Sequence, residues 1–246
     1  MIDVLQPAWP APSNVKALVT TRQGGCSAAP YDSLNLADHV GDDPASVARN
    51  RALQARECRL PDTPFWLSQV HGSAVVSPDS ANPGCRADAV YTDQPGVVCA
   101  VLTADCLPIL ITDRQGREVC AVHAGWRGLA AGVVENALQR FQSPMEELVV
   151  WLGPAIGPAA FEVGDEVRDR FLDYRQASAQ SFTNNRPGHW LADIYALARM
   201  RLTDAGVEFI VGGEYCTLTQ DRLFFSYRRD GVTGRMAAMI WRDWIT

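Results

Sequence analysis

The sequence predicts an α/β (α+β) fold built on mixed sheet. Three observations lead there. Short apolar runs of strand length recur along the 246-residue chain, each bounded by turn residues. Helical stretches fall between them, so strands and helices alternate. No stretch is rich enough in Pro, Gly or Ser to act as a linker, so residues 1–246 are expected to form a single domain around a sizeable core.

The elements follow in order. Val15–Thr20 reads as a strand that stops at Gly24-Gly25. Pro44 opens a helix reaching about Cys58; it suits the first turn, and Asp42 or Asp43 can cap it. Phe65–Val76 reads as a strand, with Gly72 marking a bulge. Ala89–Thr92, Val97–Leu102, Ile109–Thr112 and Val119–His123 have the apolar character of buried strands. Leu129–Phe141 reads as a helix after the Gly125–Gly128 turn, and Leu148–Leu152 as a strand ending at Gly153-Pro154. Asp165–Tyr174 is helical, and the polar stretch 175–189 is a loop. Asp193–Ala205 is a helix stopped by Gly206. Phe209–Val211, Leu223–Tyr227 and Met236–Trp241 close the chain as strands.

Composition narrows the function classes. The chain carries 22 Lys+Arg against 28 Asp+Glu, a formal charge of −6, which argues against a broad nucleic-acid or anionic-membrane surface. It does not forbid a local basic pocket. No apolar run is long enough to span a bilayer, and the N-terminus lacks the basic and apolar regions of a secretory signal. Seven irregularly spaced cysteines then fit free thiols in a reducing cytoplasm better than a disulfide framework.

Of four histidines, two stand at the ends of predicted strands: His71 in Ser68–Gly72 and His123 in Val122–Gly128. Cys106 lies between them in Thr103–Pro108, just after another strand. Strand ends are where α/β folds gather functional groups. Two imidazoles and one thiolate suit a borderline-soft ion such as zinc, and three protein ligands leave a fourth tetrahedral position open. The spacing, 35 and 17 residues, matches no short metal motif. On spacing alone, hydrogen-bonded core histidines and an inert thiol remain the alternative.

Anion candidates are Arg22 beside Gly24-Gly25, Arg127 at a helix start, and Arg228 with Arg229 near the C-terminus. Each can equally be a surface arginine paired with a carboxylate. Gln69 and Asp88 lie near strand ends, where they either cap turns or hydrogen-bond a polar ligand.

Taken together, Thr20–Ser27, Tyr31–Asp43, Gln69–Gly72, Ala87–Thr92, Thr103–Pro108, His123–Gly128, Gly153–Gly164 and Ser226–Met236 resemble the YfiH/YlmD-type family across nearly the whole chain. That family, formerly classed as multicopper polyphenol oxidase or laccase-domain proteins, is regarded as purine nucleoside phosphorylases. The resemblance implies mixed β-sheets sandwiched between flanking helices, similar to cysteine-hydrolase-like deamidase toxins. It implies zinc on His71, Cys106 and His123, with copper a substitute in vitro. It implies phosphorolysis of adenosine, inosine, guanosine and methylthioadenosine, with adenosine deamination as a second activity. Family members often carry two cysteines where this chain has Ala159 and Ala160.

Phosphorolysis needs an arginine to clamp phosphate, a role for Arg22 or Arg127, and a proton donor, for which Asp105 and Asp88 are candidates. The expected partners are therefore purine nucleosides and phosphate, acting on a monomer or weak homo-oligomer. Three rivals belong to other classes. A multicopper phenol oxidase needs more imidazoles than four histidines supply. A cysteine hydrolase would use Cys106 as nucleophile and His123 as base, with peptidoglycan-precursor amides as substrates. A structural zinc module would need a fourth protein ligand.

Overall fold

The computed structural model describes residues 1–244. In chain order the elements are β1 (Val4–Leu5), β2 (Val15–Thr20), α1 (Pro44–Glu57), β3 (Val75–Val76), β4 (Ala89–Thr92), β5 (Cys99–Thr103), β6 (Leu107–Asp113) and β7 (Val119–Ala124). There follow α2 (Trp126–Ala130), α3 (Val133–Leu138), β8 (Leu148–Leu152), β9 (Glu162–Gly164), α4 (Asp165–Tyr174), β10 (Phe182–Arg186) and β11 (His189–Ala192). The chain ends with α5 (Ile194–Asp204), β12 (Phe209–Gly212), α6 (Tyr227–Asp230) and β13 (Met236–Arg242).

Alternation along the strands explains how they stack. In β5, Cys99 and Val101 face Leu110, Ala121 and Trp151 of a second sheet, while Ala100 and Leu102 face Leu34, Leu36 and Leu53 on the opposite side. In β13, Met236, Ala238 and Ile240 take the first side, and Ala237 and Met239 the second. This period of two divides one strand between two cores. The four-stranded sheet so formed, β1-β2-β13-β5, is antiparallel throughout. It packs on a six-stranded mixed sheet, β12-β8-β6-β7-β4-β3, whose end pairs are parallel and whose centre is antiparallel.

The far face of the larger sheet presents Ile109, Ile111, Val122 and Val150 to Leu129, Val133 and Leu138 of α2–α3 and to Leu197 and Leu202 of α5. The layers are therefore α1, four strands, six strands, then the remaining long helices. Every residue of β5, β6, β7 and β8 is buried, as expected of strands covered on both faces. Each large side chain there contributes about 1.5–3 kcal/mol by leaving water.

Local chemistry sets the helix ends. Asp43 caps α1 by accepting the N–H groups of Ala45 and Ser46, with Pro44 in the first turn. Asp42 instead accepts from Ser27 and Asn35. Asp193 caps α5 through the Ala196 N–H. No helix among the described residues is long and apolar enough to cross a membrane.

Four expectations need correction. Phe65–Val76 is not one strand: Phe65 and Ser68 form isolated bridges, and only Val75–Val76 joins a sheet. The N–H groups of Val70, His71 and Gly72 go to the Asp88 carboxylate, so they cannot enter a ladder. The helix expected over Leu129–Phe141 is two short helices, α2 and α3, separated at Gly132, whose φ is +90°. The loop 175–189 contains a 3₁₀ segment, Gln176–Ser181, and strand β10, which pairs with β11 at the edge of a third sheet, β10-β11-β9. Four of the five β10 residues are exposed, so no apolar alternation announced it. Leu223–Tyr227 is not a strand but a turn leading into α6, which Ser226 Oγ caps through the Arg229 N–H.

Candidate metal centre

The site forms where the chain crosses between the two large sheets. β5 belongs to one and β6 to the other, and only Ala104, Asp105 and Cys106 join them. The turn requires Asp105 at φ +87°, a region non-glycine residues seldom occupy. Two bonds hold it there: Thr217 Oγ1 donates to Oδ1 at 2.6 Å, and the Arg228 N–H donates to Oδ2 at 2.7 Å. Cys106 is thereby fixed beside His123, which stands opposite Pro108 near the end of β7.

His71 arrives by a different route. Its φ of +58° bends the segment Val70–Gly72 around the carboxylate of Asp88. Asp88 is fully buried and accepts N–H bonds from His71 at 2.9 Å and Gly72 at 2.6 Å. It also meets Nδ1 of His123 at 2.8 Å. One buried carboxylate thus holds the backbone that carries one imidazole and the ring of the other. With Nδ1 occupied, the Nε2 of His123 is left for the site.

The donor atoms of His71, Cys106 and His123 lie within 4.8 Å of one another. Cys106 Sγ is 3.8 Å from His71 Nε2, and the two imidazoles meet edge to face with centroids 4.8 Å apart. Two glycines permit this approach. A β-carbon on Gly125 would lie 3.0 Å from both Cys106 Sγ and His71 Cδ2, and one on Gly128 would lie 2.6 Å from the Gly72 carbonyl oxygen.

The charges reinforce one another. Burial opposes the Cys106 thiolate, but His123 and His71 outweigh it and bring its pKa down to about 6. Burial likewise opposes an imidazolium at His123, yet Cys106 and Asp88 raise its pKa to about 9. Asp88 is held below the usual carboxylate range because His123 and the Gly72 and His71 N–H groups overcome its burial. A thiolate and two imidazoles fit a soft or borderline metal ion, and the Asp88–His123 bond is the kind that orients a metal-binding histidine.

The remaining predicted residues divide into two groups. Arg127 and Arg228 do line the cavities beside the triad. The Arg127 guanidinium has no hydrogen bond or ion pair among the described residues and lies 4.5 Å from the Trp126 ring centre. Arg228 spends Nη1 on the Glu162 carbonyl. Gln69 reaches the site, but its amide is committed in both directions to the Leu102 backbone, at 2.8 and 2.7 Å. Asp88 and Asp105 have their oxygens engaged as described. Arg22 is not brought to the triad: it bonds Asp32 and the Asp221 carbonyl and stacks over Phe225. Its neighbours Gly24 and Gly25 accommodate the backbone of Ile2 and Ser33 rather than a ligand.

Two cavities flank the triad, and His71, Cys106, Arg127 and Tyr227 line both. One, about 210 Å³, has the mainly apolar walls Trp126, Ile156, Phe161 and Ile194. The other, about 440 Å³, is lined by Gln69, Thr103, Arg235 and His39 and by no carboxylate. Tyr227, Phe161, Thr103 and Arg235 escaped the sequence reading. The available signal for Arg235 was a basic residue immediately before the last apolar strand.

A family model described as multi-copper polyphenol oxidoreductase laccase matches residues 16–243. A purine nucleoside phosphorylase of Pseudomonas aeruginosa is 52% identical over 240 residues, covering 96% of this chain and 97% of its own length. The purine nucleoside phosphorylase YfiH of Escherichia coli is 51% identical over 98% of this chain and 99% of its own. A crystal structure of a Neisseria meningitidis protein superposes with a TM-score of 0.95 at 48% identity, covering 98% and 99% of the two chains. YlmD from Geobacillus stearothermophilus gives 0.91 at 34%, again over 98% and 99%. The fold and the clustered donors define an α/β protein with a potential metal centre at a crossing between sheets. The chain belongs to the YfiH/YlmD family.

Proposed function

We propose that this chain is a zinc-dependent purine nucleoside phosphorylase that converts adenosine, inosine, guanosine or methylthioadenosine, with phosphate, to free base and the sugar 1-phosphate. The observation that carries the reading is the position of the His71–Cys106–His123 triad between an apolar cavity and a cationic one. The names of the relatives support it.

In this reading the base lies in the smaller cavity against Trp126, Phe161 and Tyr227, and the ribose lies at the triad. Arg127 holds phosphate from the opposite side, with unengaged guanidinium donors suited to an oxyanion. A phosphate oxygen attacks C1′, the bond from C1′ to the base nitrogen breaks, and its electron pair leaves with the base, which takes up a proton. Asp105 serves this chemistry by holding the turn that presents Cys106, its two oxygens accepting from Thr217 Oγ1 and the Arg228 N–H. Asp88 orients His123 and His71.

Zinc would be held by His71, Cys106 and His123; when bound, it supplies the Lewis acidity that deamination of adenosine at C6 requires. Copper fits the same donors as a substitute. A multicopper oxidase does not fit them: His39 lies beside Asp38, and His189 bonds the Pro187 carbonyl, so neither adds to the triad. All seven cysteines are free, in keeping with a cytoplasmic enzyme.

The test is phosphate dependence. The zinc content of purified protein is measured, and inosine and adenosine are incubated with and without phosphate. Phosphate-dependent base release, lost in His71→Ala and Cys106→Ala, is expected. Base release independent of phosphate, or none from zinc-loaded protein, refutes the phosphorylase.

One observation favours a second reading. Asp88, His123 and Cys106 also form the series carboxylate, imidazole and thiolate that a cysteine hydrolase uses, and the substrates in that reading are peptidoglycan-precursor amides. Amide hydrolysis by metal-free protein, abolished by alkylating Cys106, would select it.

A further inference from the structure

We propose that Arg235 and Thr103 form a fixed oxyanion subsite beside the triad, and that its ligand is inorganic phosphate. The inference rests on the phosphorylase reading and adds residues to it. The register of β13 on β5 pairs Met236 with Thr103, which brings Arg235, one position earlier, to the same end of the ladder. Both residues line the 440 Å³ cavity that His71 and Cys106 also line.

Arg235 is anchored from three directions. Its N–H donates to Asn35 Oδ1 at 3.0 Å, and Nη1 donates to the carbonyls of Thr233 and Gly234, each at 2.9 Å. Its Nε and Nη2 have no partner among the described residues. Thr103 is 1% exposed, and its hydroxyl is buried without a partner. Buried polar groups are normally paired, so the unmatched hydroxyl of a residue that lines this cavity points to a ligand oxygen.

The surroundings select the charge of that ligand. The chain has a formal charge of −6, yet this cavity is lined by Arg127, Arg235 and three histidines and by no carboxylate. Two guanidiniums outnumber the single Cys106 thiolate there, so the concavity concentrates anions. Arg127 stands on α2 and is exposed, and Arg235 is half-buried just before β13, so two separate elements supply guanidiniums to the one cavity. A guanidinium presents paired N–H donors to phosphate oxygens, and a threonine hydroxyl adds another.

The test uses zinc-loaded enzyme carrying Arg235→Gln, Arg235→Lys or Thr103→Val. Loss of a charge-assisted contact should raise the phosphate KM of R235Q by about tenfold or more, with inosine KM and zinc content unchanged. R235K should recover part of the loss. T103V should raise phosphate KM several-fold while keeping or raising Tm, since no structural bond is removed. An R235Q protein that loses zinc and keeps its phosphate KM overturns the proposal, because Arg235 would then only balance the nearby Cys106 and Asp105 charges. Calorimetric titration with inorganic phosphate decides the subsite separately from turnover. Heat of binding in the wild type that disappears in R235Q supports it even if no nucleoside is cleaved. No binding to the wild type, or tighter Arg235-dependent binding of a nucleoside 5′-monophosphate, overturns it.

Discussion

Asp88 Oδ1 lies 2.8 Å from Nδ1 of His123, so the buried carboxylate dictates which imidazole nitrogen faces the triad. Because the same carboxylate also gathers the N–H groups of His71 and Gly72, its loss should disturb two ligands together. Asp88→Ala is expected to weaken zinc binding by about 10–100-fold, the usual effect of removing such a partner. Competition with a chromophoric chelator measures this. Wild-type affinity in the variant would remove Asp88 from the metal site.

Gly125 has φ −64° and ψ 157°, values any residue can adopt. Gly125→Ala should therefore fold normally but push its new methyl against Cys106 Sγ and His71 Cδ2. The expected result is reduced zinc stoichiometry with Tm within a few degrees of wild type. Full zinc occupancy at unchanged affinity would show that the ligands have room to spare.

The Cys106 thiolate gives the metal-free protein a distinctive pH profile. With the pKa lowered from 9.0 to about 6, the thiolate is depleted as pH falls through about 6 and is nearly complete by pH 7. Its contribution to folding stability is full above the ordinary value and is lost as pH falls through the lowered one. Iodoacetamide should therefore modify Cys106 at half its maximal rate near pH 6, with zinc protecting it. Burial pushes the Cys58, Cys99 and Cys120 thiols up, so they stay unreactive there. A Cys106 profile centred near 9 would contradict the influence of the two imidazoles.

Asp105 separates structural from chemical roles. Asp105→Ala loses the bonds to Thr217 and the Arg228 N–H and leaves alanine at a positive φ. The expected cost is about 3 kcal/mol in urea denaturation, with a smaller one for Asp105→Asn. Wild-type stability in an inactive Asp105→Ala protein would make the carboxylate a participant in the reaction instead.

Arg22 and Arg127 should part company. Arg127→Ala is expected to lower phosphate-dependent turnover by at least about tenfold with little change in Tm, since its guanidinium is free of hydrogen bonds among the described residues. Arg22→Ala should act mainly on stability, because its guanidinium ties Asp32 to the Asp221 carbonyl. Steady-state kinetics beside thermal melts distinguishes the two, and equal loss of turnover without destabilisation in Arg22→Ala would return it to the site.

The central strands were legible because strands covered on both faces are nearly all apolar, as in Leu107–Asp113 and Val119–Ala124. The start of α1 was legible because Pro44 and the aspartate before it act locally. β10 was not, since four of its five residues face water and its pairing with His189–Ala192 is a matter of tertiary contact. The break at Gly132 was missed because a single glycine is compatible with a helical pattern until its φ is known.

By itself the sequence determined the alternation of strands and helices and offered two imidazoles and a thiol as candidate donors, because apolar period and residue type are local properties. Only the tertiary structure decided which other groups join them. It carried Arg22 away, turned Asp88 from a candidate ligand contact into the hub of the triad, and set Thr103 and Arg235 at one ladder end. Those outcomes depend on strand register and on where buried polar atoms find partners, and neither is written in the spacing along the chain.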